Sequence, residues 1–233
     1  MAEINGVGRV GIRSAAPPAS SSSIITNGLI LNLDAGNVAS YPGTGTTWTD
    51  LTGSGTIATL VNGTSYSSEN GGTLVFDGIN DNISINNGSG LDIGNTYTFS
   101  IWVKFINGYN TILAGSTAFY DSGYAMYVAN SNNIYTAAGM NYVSNDPNLT
   151  TNQWVFLTVV RSATSVSLYK NGVSIGSGSM ITTAGNVIKA IGAYLNGSYS
   201  LNGNISSVNI YNRNLSASEI LQNFNTTKTR FGF

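Results

Sequence analysis

The 233-residue chain contains no histidine and no cysteine. Without histidine it lacks the side chain that ordinarily titrates near neutrality, the commonest zinc ligand, and any Ser/His or Cys/His nucleophile arrangement. Without cysteine, thiol chemistry and disulfides are excluded. Charge is scarce too, at 8% of residues against a usual ~25%. Nine Lys and Arg cannot form the basic patch that sequence-independent nucleic-acid binding requires, so no nucleic-acid partner is expected. No apolar run reaches the roughly 18 residues of a membrane span, and no membrane partner is expected. The N-terminus lacks the apolar stretch of a secretory leader, so synthesis in a cytoplasm is expected.

What fills the chain is apolar residues at 42%, 28 glycines, and many Ser, Thr and Asn. Low charge with ordinary apolar content is not the composition of a disordered chain. At this length about 70% of the unfolded surface is expected to be buried, enough for one core without staples.

Residues 1–26 read differently from the rest. They carry Arg9 and Arg13, then Pro17-Pro18 and the run Ser20 to Ser23, a composition for an arm and linker rather than a packed element. Gly6-Val7-Gly8-Arg9-Val10-Gly11 fits G-x-G-x-x-G. However, no strand precedes it, the two prolines forbid the helix that should follow, and no βαβ unit is present, so a dinucleotide site is rejected. The arm's alternative use is docking as an extended segment against another chain, through Ile4, Val7, Arg9, Val10, Ile12 and Arg13.

From Ile24 onward short strands alternate with turn signals. Leu29 to Leu33 reads as a strand, and Phe99, Ile101, Val103 and Phe105 alternate with Ser100, Trp102 and Lys104. Trp154 to Val160 is apolar on both faces, so both are expected to be covered. Asn171-Gly172 between two alternating runs predicts a type I′ hairpin. Ile188 to Ala193 and Val208 to Tyr211 are predicted as further strands. One helix is predicted near the C-terminus, where Ser216-Ala217-Ser218-Glu219 makes a capping box and Ile220 and Phe224 share a face. Many strands and one helix give an all-β fold, a two-sheet antiparallel jelly-roll β-sandwich, with an extended N-terminal arm and one short C-terminal helix packed on the sandwich. The expected division is 1–26 for the arm and 27–233 for the domain.

The segment Phe76-Asp77-Gly78-Ile79-Asn80-Asp81-Asn82-Ile83-Ser84-Ile85 holds two carboxylates four residues apart. Three readings stand: an acid pair, an oxygen site for calcium, or a turn into an outer strand. In the turn reading Asp77 accepts backbone N–H bonds and Asp81 caps the exit. Six tyrosines between positions 109 and 142 sit among asparagines and Asp121. Tyr120, Asp121, Tyr124, Tyr127 and Tyr142 are candidate sugar-binding residues, against partly packed strand tyrosines as the alternative.

Several of these segments in order resemble the laminin-G-like, concanavalin-A-like jelly-roll family as found in bacteriophage virion proteins. The carriers are Gly28-Leu29-Ile30-Leu31-Asn32-Leu33-Asp34-Ala35-Gly36, Trp48-Thr49-Asp50-Leu51, Phe76-Asp77-Gly78, Tyr97 to Lys104, Trp154 to Thr158, and Gly203 to Ser216. The resemblance implies two stacked antiparallel sheets, a binding or structural role, and in some members calcium. The family's last motif usually places an acid where this chain has Ser206, which puts calcium in doubt. Glycosidases on related jelly rolls carry closely spaced acids on a strand, and here neither Glu3, Glu69 nor Glu219 has an acid two positions away, so no enzyme activity and no cofactor are expected. The resemblance points to a virion surface protein displayed in many copies or as a homo-oligomer. It would dock on other virion proteins through residues 1–26, serve as capsid decoration, and possess a lectin-like surface for host glycans. The alternative is a carbohydrate-binding adhesin or tail receptor-binding module. Absence of heptads or repeats that could form a fibre stem favours decoration.

Overall fold

The computed structural model describes residues 23–106, 110–115, 125–128, 133–137, 144–145, 149–179 and 187–233. The arm positions Ile4, Val7, Arg9, Val10, Ile12 and Arg13 lie outside these residues. Two antiparallel sheets face each other, as the alternation predicts. The first runs Val173–Ser179, Ser165–Lys170, Trp154–Ser162, Thr96–Phe105, Asn202–Tyr211, Thr73–Asp77 and Ser65–Ser67, with Leu29–Asp34 also paired to Asn202–Tyr211. The second runs Ser144–Asn145, Asn133–Ala137, Ala125–Val128, Asn110–Ala114, Ala190–Ile191, Asn82–Ile85, Ile57–Val61 and Thr47–Thr49. A ribbon of Leu91–Asp92 with Val187–Ile188 stands apart.

Period-2 alternation builds the core. Tyr97, Phe99, Ile101, Val103 and Phe105 of one strand join Val155, Leu157 and Val159 of the next and meet Trp48, Ala58, Leu60, Ile83 and Ile85 of the second sheet. The Asn202–Tyr211 strand changes partner along its length. Its first half pairs with Thr73–Asp77 and its second with Leu29–Asp34, and a bulge at Ser206 marks the switch. The Ser206 hydroxyl is buried there and donates to the Gly72 carbonyl at 2.9 Å. The Asn171-Gly172 turn has φ of 51° and 81°, the two positive values of a type I′ hairpin.

The other face of the first sheet is buried as well. Ser216 caps the helix Ala217–Thr227 and Glu219 completes the capping box, which lays Ile220 and Phe224 on the sheet. The following turn, Lys228–Phe231, stacks Phe231 on Trp102 with ring centroids 4.0 Å apart. Trp154 and Phe156 complete this aromatic cluster. Trp102 Nε1 donates to Thr227 Oγ1 and Trp154 Nε1 to Asn70 Oδ1, both at 2.8 Å, so neither indole N–H is left unpaired. Arg230 then latches the tail. Its guanidinium bonds Asp34 Oδ1 at 2.6 Å and the carbonyls of Asn70 and Gly72 at 2.5 Å. Gly72 has φ of 132°, and a Cβ there would lie 2.3 Å from the Ala35 carbonyl oxygen, so only glycine fits beside the latch.

Two expectations need correction. Ile188 to Ala193 is not one strand: Ile188 pairs with Leu91 in the ribbon, Ala190–Ile191 enters the second sheet, and Gly192 turns away at φ of 86°. Asn82–Ile85 is not an outer strand either. It lies between Ile57–Val61 and Ala190–Ile191, because its alternate isoleucines, Ile83 and Ile85, are needed in the core. At the other end, Gln222 Nε2 donates to the Ser23 carbonyl and Ile25 N to Asn223 Oδ1, so residues 23–25 are tied to the helix.

The ion pair that anchors the helix start gives a pH test. Arg213 bonds Glu219 at 2.6 Å and, with the Ser216 N–H, pulls its carboxyl down from 4.5 to about 2. A depressed carboxyl contributes stability above its unfolded value and loses it as pH falls through the folded one. Chemical unfolding should show Glu219→Gln less stable than the parent at neutral pH, with the gap closing between pH 4.5 and about 2. A gap that stays constant across that window contradicts this role.

Candidate functional site

The Asp77–Asp81 segment is the bridge between the sheets, from the end of Thr73–Asp77 to the start of Asn82–Ile85. Asp77 Oδ1 accepts the Ile79 N–H at 2.8 Å, the Asx bond expected of the turn. Asp81 does not cap the exit. Its Oδ2 reaches back to accept the Asp77 N–H at 3.0 Å, which closes the turn from inside. Asp81 is only 3% exposed, and burial pushes its carboxyl above the ordinary 3.8, with the Asp77 charge adding to the shift. The Asn80 carbonyl accepts from Asn62 Nδ2 at 2.9 Å, joining the neighbouring loop 61–65 to the turn.

Among the described residues the turn gathers only two carboxylates, Asp77 and Asp81. Asp81 Oδ1 and Asn82 Oδ1 are buried without a protein partner among the described residues. Yet Ile83 faces the core, so Asn82 points the other way, while Asp81 turns back toward Asp77. Calcium takes roughly six to eight converging oxygens. Among the described residues no group of three His, Cys, Asp or Glu comes together, and Ser206 spends its hydroxyl on Gly72.

A second loop, 192–201, closes against this turn. Gly197 N donates to the Tyr194 carbonyl at 2.8 Å, and Asn196 Oδ1 accepts from the Ser198 N–H at 2.9 Å. Gly197 sits so close to Asn80 that a Cβ would come within 2.9 Å of the Asn80 Cβ, and its φ is 77°. Ser200 Oγ donates to the Asp81 carbonyl at 2.8 Å. The next residue back, Tyr199, has φ of 52°, in the left-handed region that a bulky side chain rarely occupies. Its carbonyl is held by the Thr111 N–H at 3.1 Å, and its ring meets the buried Tyr194 ring edge-on at 6.3 Å.

These loops leave an apolar and aromatic rim open to solvent. Ile79 is 73% exposed, Tyr199 42% and Ile106 38%. Ile106 N donates to the Asn202 carbonyl at 2.8 Å, and Gly78 packs against the Asn202 side chain, so all three residues stand at one end of the sandwich. The exposed amides of Asn62, Asn80 and Asn196 lie among them. Aromatic and aliphatic surface beside amides is suited to a sugar, whose ring has apolar C–H faces and hydroxyls that both donate and accept.

Of the candidates named from sequence, Tyr120, Asp121, Tyr124 and Tyr142 lie outside the described residues. The backbone of Tyr127 sits in Ala125–Val128, opposite Tyr135 and Thr111. Sequence reasoning missed Tyr199 and Ile79. The available signal was the aromatic two residues after Asn196-Gly197, in a turn rather than a strand.

A family model described as the concanavalin A-like lectin/glucanases superfamily matches residues 76–221, more than half of the chain. The chain belongs to this superfamily. The match opens on Phe76, one residue before the sheet-bridging turn. No match is found among curated protein sequences. Among solved structures, domain 4 of AbnA, an extracellular arabinanase from Geobacillus stearothermophilus in complex with arabinotriose, is similar with a TM-score of 0.66 and 20% identity. That likeness covers 85% of this chain and 98% of that one. Trypanosoma rangeli sialidase is similar with a TM-score of 0.67 and 15% identity over 94% of this chain, and the likeness spans 37% of the sialidase. The binding domain of botulinum neurotoxin DC, in complex with SialylT, gives 0.62 and 15% over 86% of this chain and 52% of that one. At these identities the likeness establishes the lectin-like β-sandwich fold.

The rim makes a stability test that separates it from the core. Placing a bulky residue in the left-handed region costs about 1–2 kcal/mol, and Tyr199→Gly would relieve it while loosening the unfolded chain by roughly 0.5–1 kcal/mol. The expected result in urea unfolding is a change within about 1 kcal/mol. A loss of about 3 kcal/mol or more, as for a buried aromatic, would assign Tyr199 to packing instead.

Proposed function

We propose that this protein is a non-enzymatic surface protein of a bacteriophage virion, docked through residues 1–26 and presenting its lectin-like rim outward to glycans. One observation carries the reading. The linker meets the domain at residues 23–25, held by Gln222 and Asn223, and enters the sheet at Leu29, opposite Tyr211, whereas the rim begins at Asn202, opposite Asp77. Sheet entry and rim therefore lie at opposite ends of the Asn202–Tyr211 strand, about 30 Å apart at roughly 3.3 Å per residue. A module tethered at one end and open at the other is built for display.

The carboxylates support the non-enzymatic part. Glu69 pairs with Lys104, Glu219 with Arg213 and Asp34 with Arg230. Asp50 accepts from the N–H groups of Asn32 and Thr52 and from Ser54 Oγ. Asp77 and Asp81 close their turn, and Asp92 accepts the Gly94 N–H. Each described acid has a structural task. Within the virion reading, capsid decoration is the role we place first. The exposed Tyr199 rim favours receptor binding as the second reading, in an adhesin or tail module.

The test is addition of the purified protein to virions lacking it. The full chain is expected to decorate them, and a form lacking residues 1–22 to remain folded and stay in solution. Loss of shell stability in the undecorated particles would mark cement, and loss of adsorption would mark receptor binding. Full occupancy by the truncated form contradicts docking through the arm.

A further inference from the structure

The distribution of charge narrows the ligand class. None of the nine basic residues lies in the rim segments 61–65, 77–82 or 192–202, or at rim positions 106 and 110. None lies at 107–109, 116–124, 129–132, 138–143 or 146–148 either. Two are in the arm, at Arg9 and Arg13. Lys104, Arg213 and Arg230 are held by Glu69, Glu219 and Asp34. Arg161 is buried beside the Tyr97 ring, and Lys228 lies over Phe224. Lys170 is in a strand of the first sheet, and Lys189 lies against Gly90. The charges at the rim are of the other sign, with Asp77 exposed and Asp81 beneath it.

From this we infer that the rim takes neutral glycans and rejects anionic ones. The inference rests on the glycan-binding part of the proposed function and adds the ligand's charge class. A carboxylate, sulfate or phosphate brought to Ile79 and Tyr199 would find no guanidinium or ammonium to pair with and would approach the Asp77 carboxylate. A neutral sugar meets no such penalty. Its apolar ring face lies on Tyr199, and its hydroxyls exchange donors and acceptors with the amides of Asn62, Asn80 and Asn196. Among similar structures, an arabinanase domain is in complex with arabinotriose and a neurotoxin domain with SialylT, so shared fold does not fix ligand charge.

The experiment is binding of the full chain, by glycan array and then calorimetry, to neutral oligosaccharides and to their sialylated, sulfated and uronate counterparts. The expected result is binding to neutral probes alone, unchanged by added salt and lost in Tyr199→Gly. Asn196→Lys, which adds a cation at the rim, should gain several-fold affinity for sialylated probes at low salt. If the parent protein binds anionic probes as well as neutral ones, and Tyr199→Gly abolishes both, the charge inference fails and the glycan site stands. If no probe binds, the glycan-binding reading and this inference fall together.

Discussion

The stacking of Phe231 on Trp102, with ring centroids 4.0 Å apart, is the contact on which the outer architecture depends. A sheet face rich in Trp102, Trp154 and Phe156 cannot be left in water, and the C-terminal helix and tail are the cover. Truncating a buried phenylalanine of this kind typically costs on the order of 3 kcal/mol, a large share of a domain's net stability. Arg230 holds the cover down by bonding Asp34, Asn70 and Gly72 at once, a fork that lysine could not reproduce. One consequence is functional. With both faces occupied, the central strands Thr96–Phe105 and Asn202–Tyr211 offer no open face to a ligand.

The same economy of charge shapes the rim. Turns that other proteins build with exposed acids and lysines are built here with asparagine and glycine, through Asx bonds and left-handed backbone. The amides that fold the loops are then the amides that face solvent at Asn62, Asn80 and Asn196. Tyr199 is the exception to this local logic, a bulky residue in a conformation that suits glycine or asparagine. Strain of this kind persists where the surrounding bonds determine it, here the Thr111 N–H and the Tyr194 ring.

Much of the fold was legible because it rests on local rules. The capping box at Ser216, the Asn171-Gly172 hairpin and the alternation in Thr96–Phe105 each follow from a few adjacent residues. The broken strand at Ile188 was not legible, since an apolar run does not say which of two sheets claims each residue. The inward turn of Asp81 was hidden for a similar reason: its partner, the Asp77 N–H, is chosen by the closure of the sandwich. The site was read less well than the fold. The tyrosine-rich stretch 109–142 stands out in the sequence, while Tyr199 gains its importance from the Thr111 N–H on its carbonyl and from the packing of its loop on Asn80 through Gly197, both far away in sequence.

The central claim is that ligand is taken at the rim opposite the linker. Amide chemical-shift mapping of the labelled protein during titration with a neutral oligosaccharide tests it most directly. The account predicts that shifts concentrate in 77–82 and 194–199, with the indole N–H signals of Trp102 and Trp154 unmoved. Shifts centred on the two indoles and the helix Ala217–Thr227, with 77–82 and 194–199 silent, would contradict it.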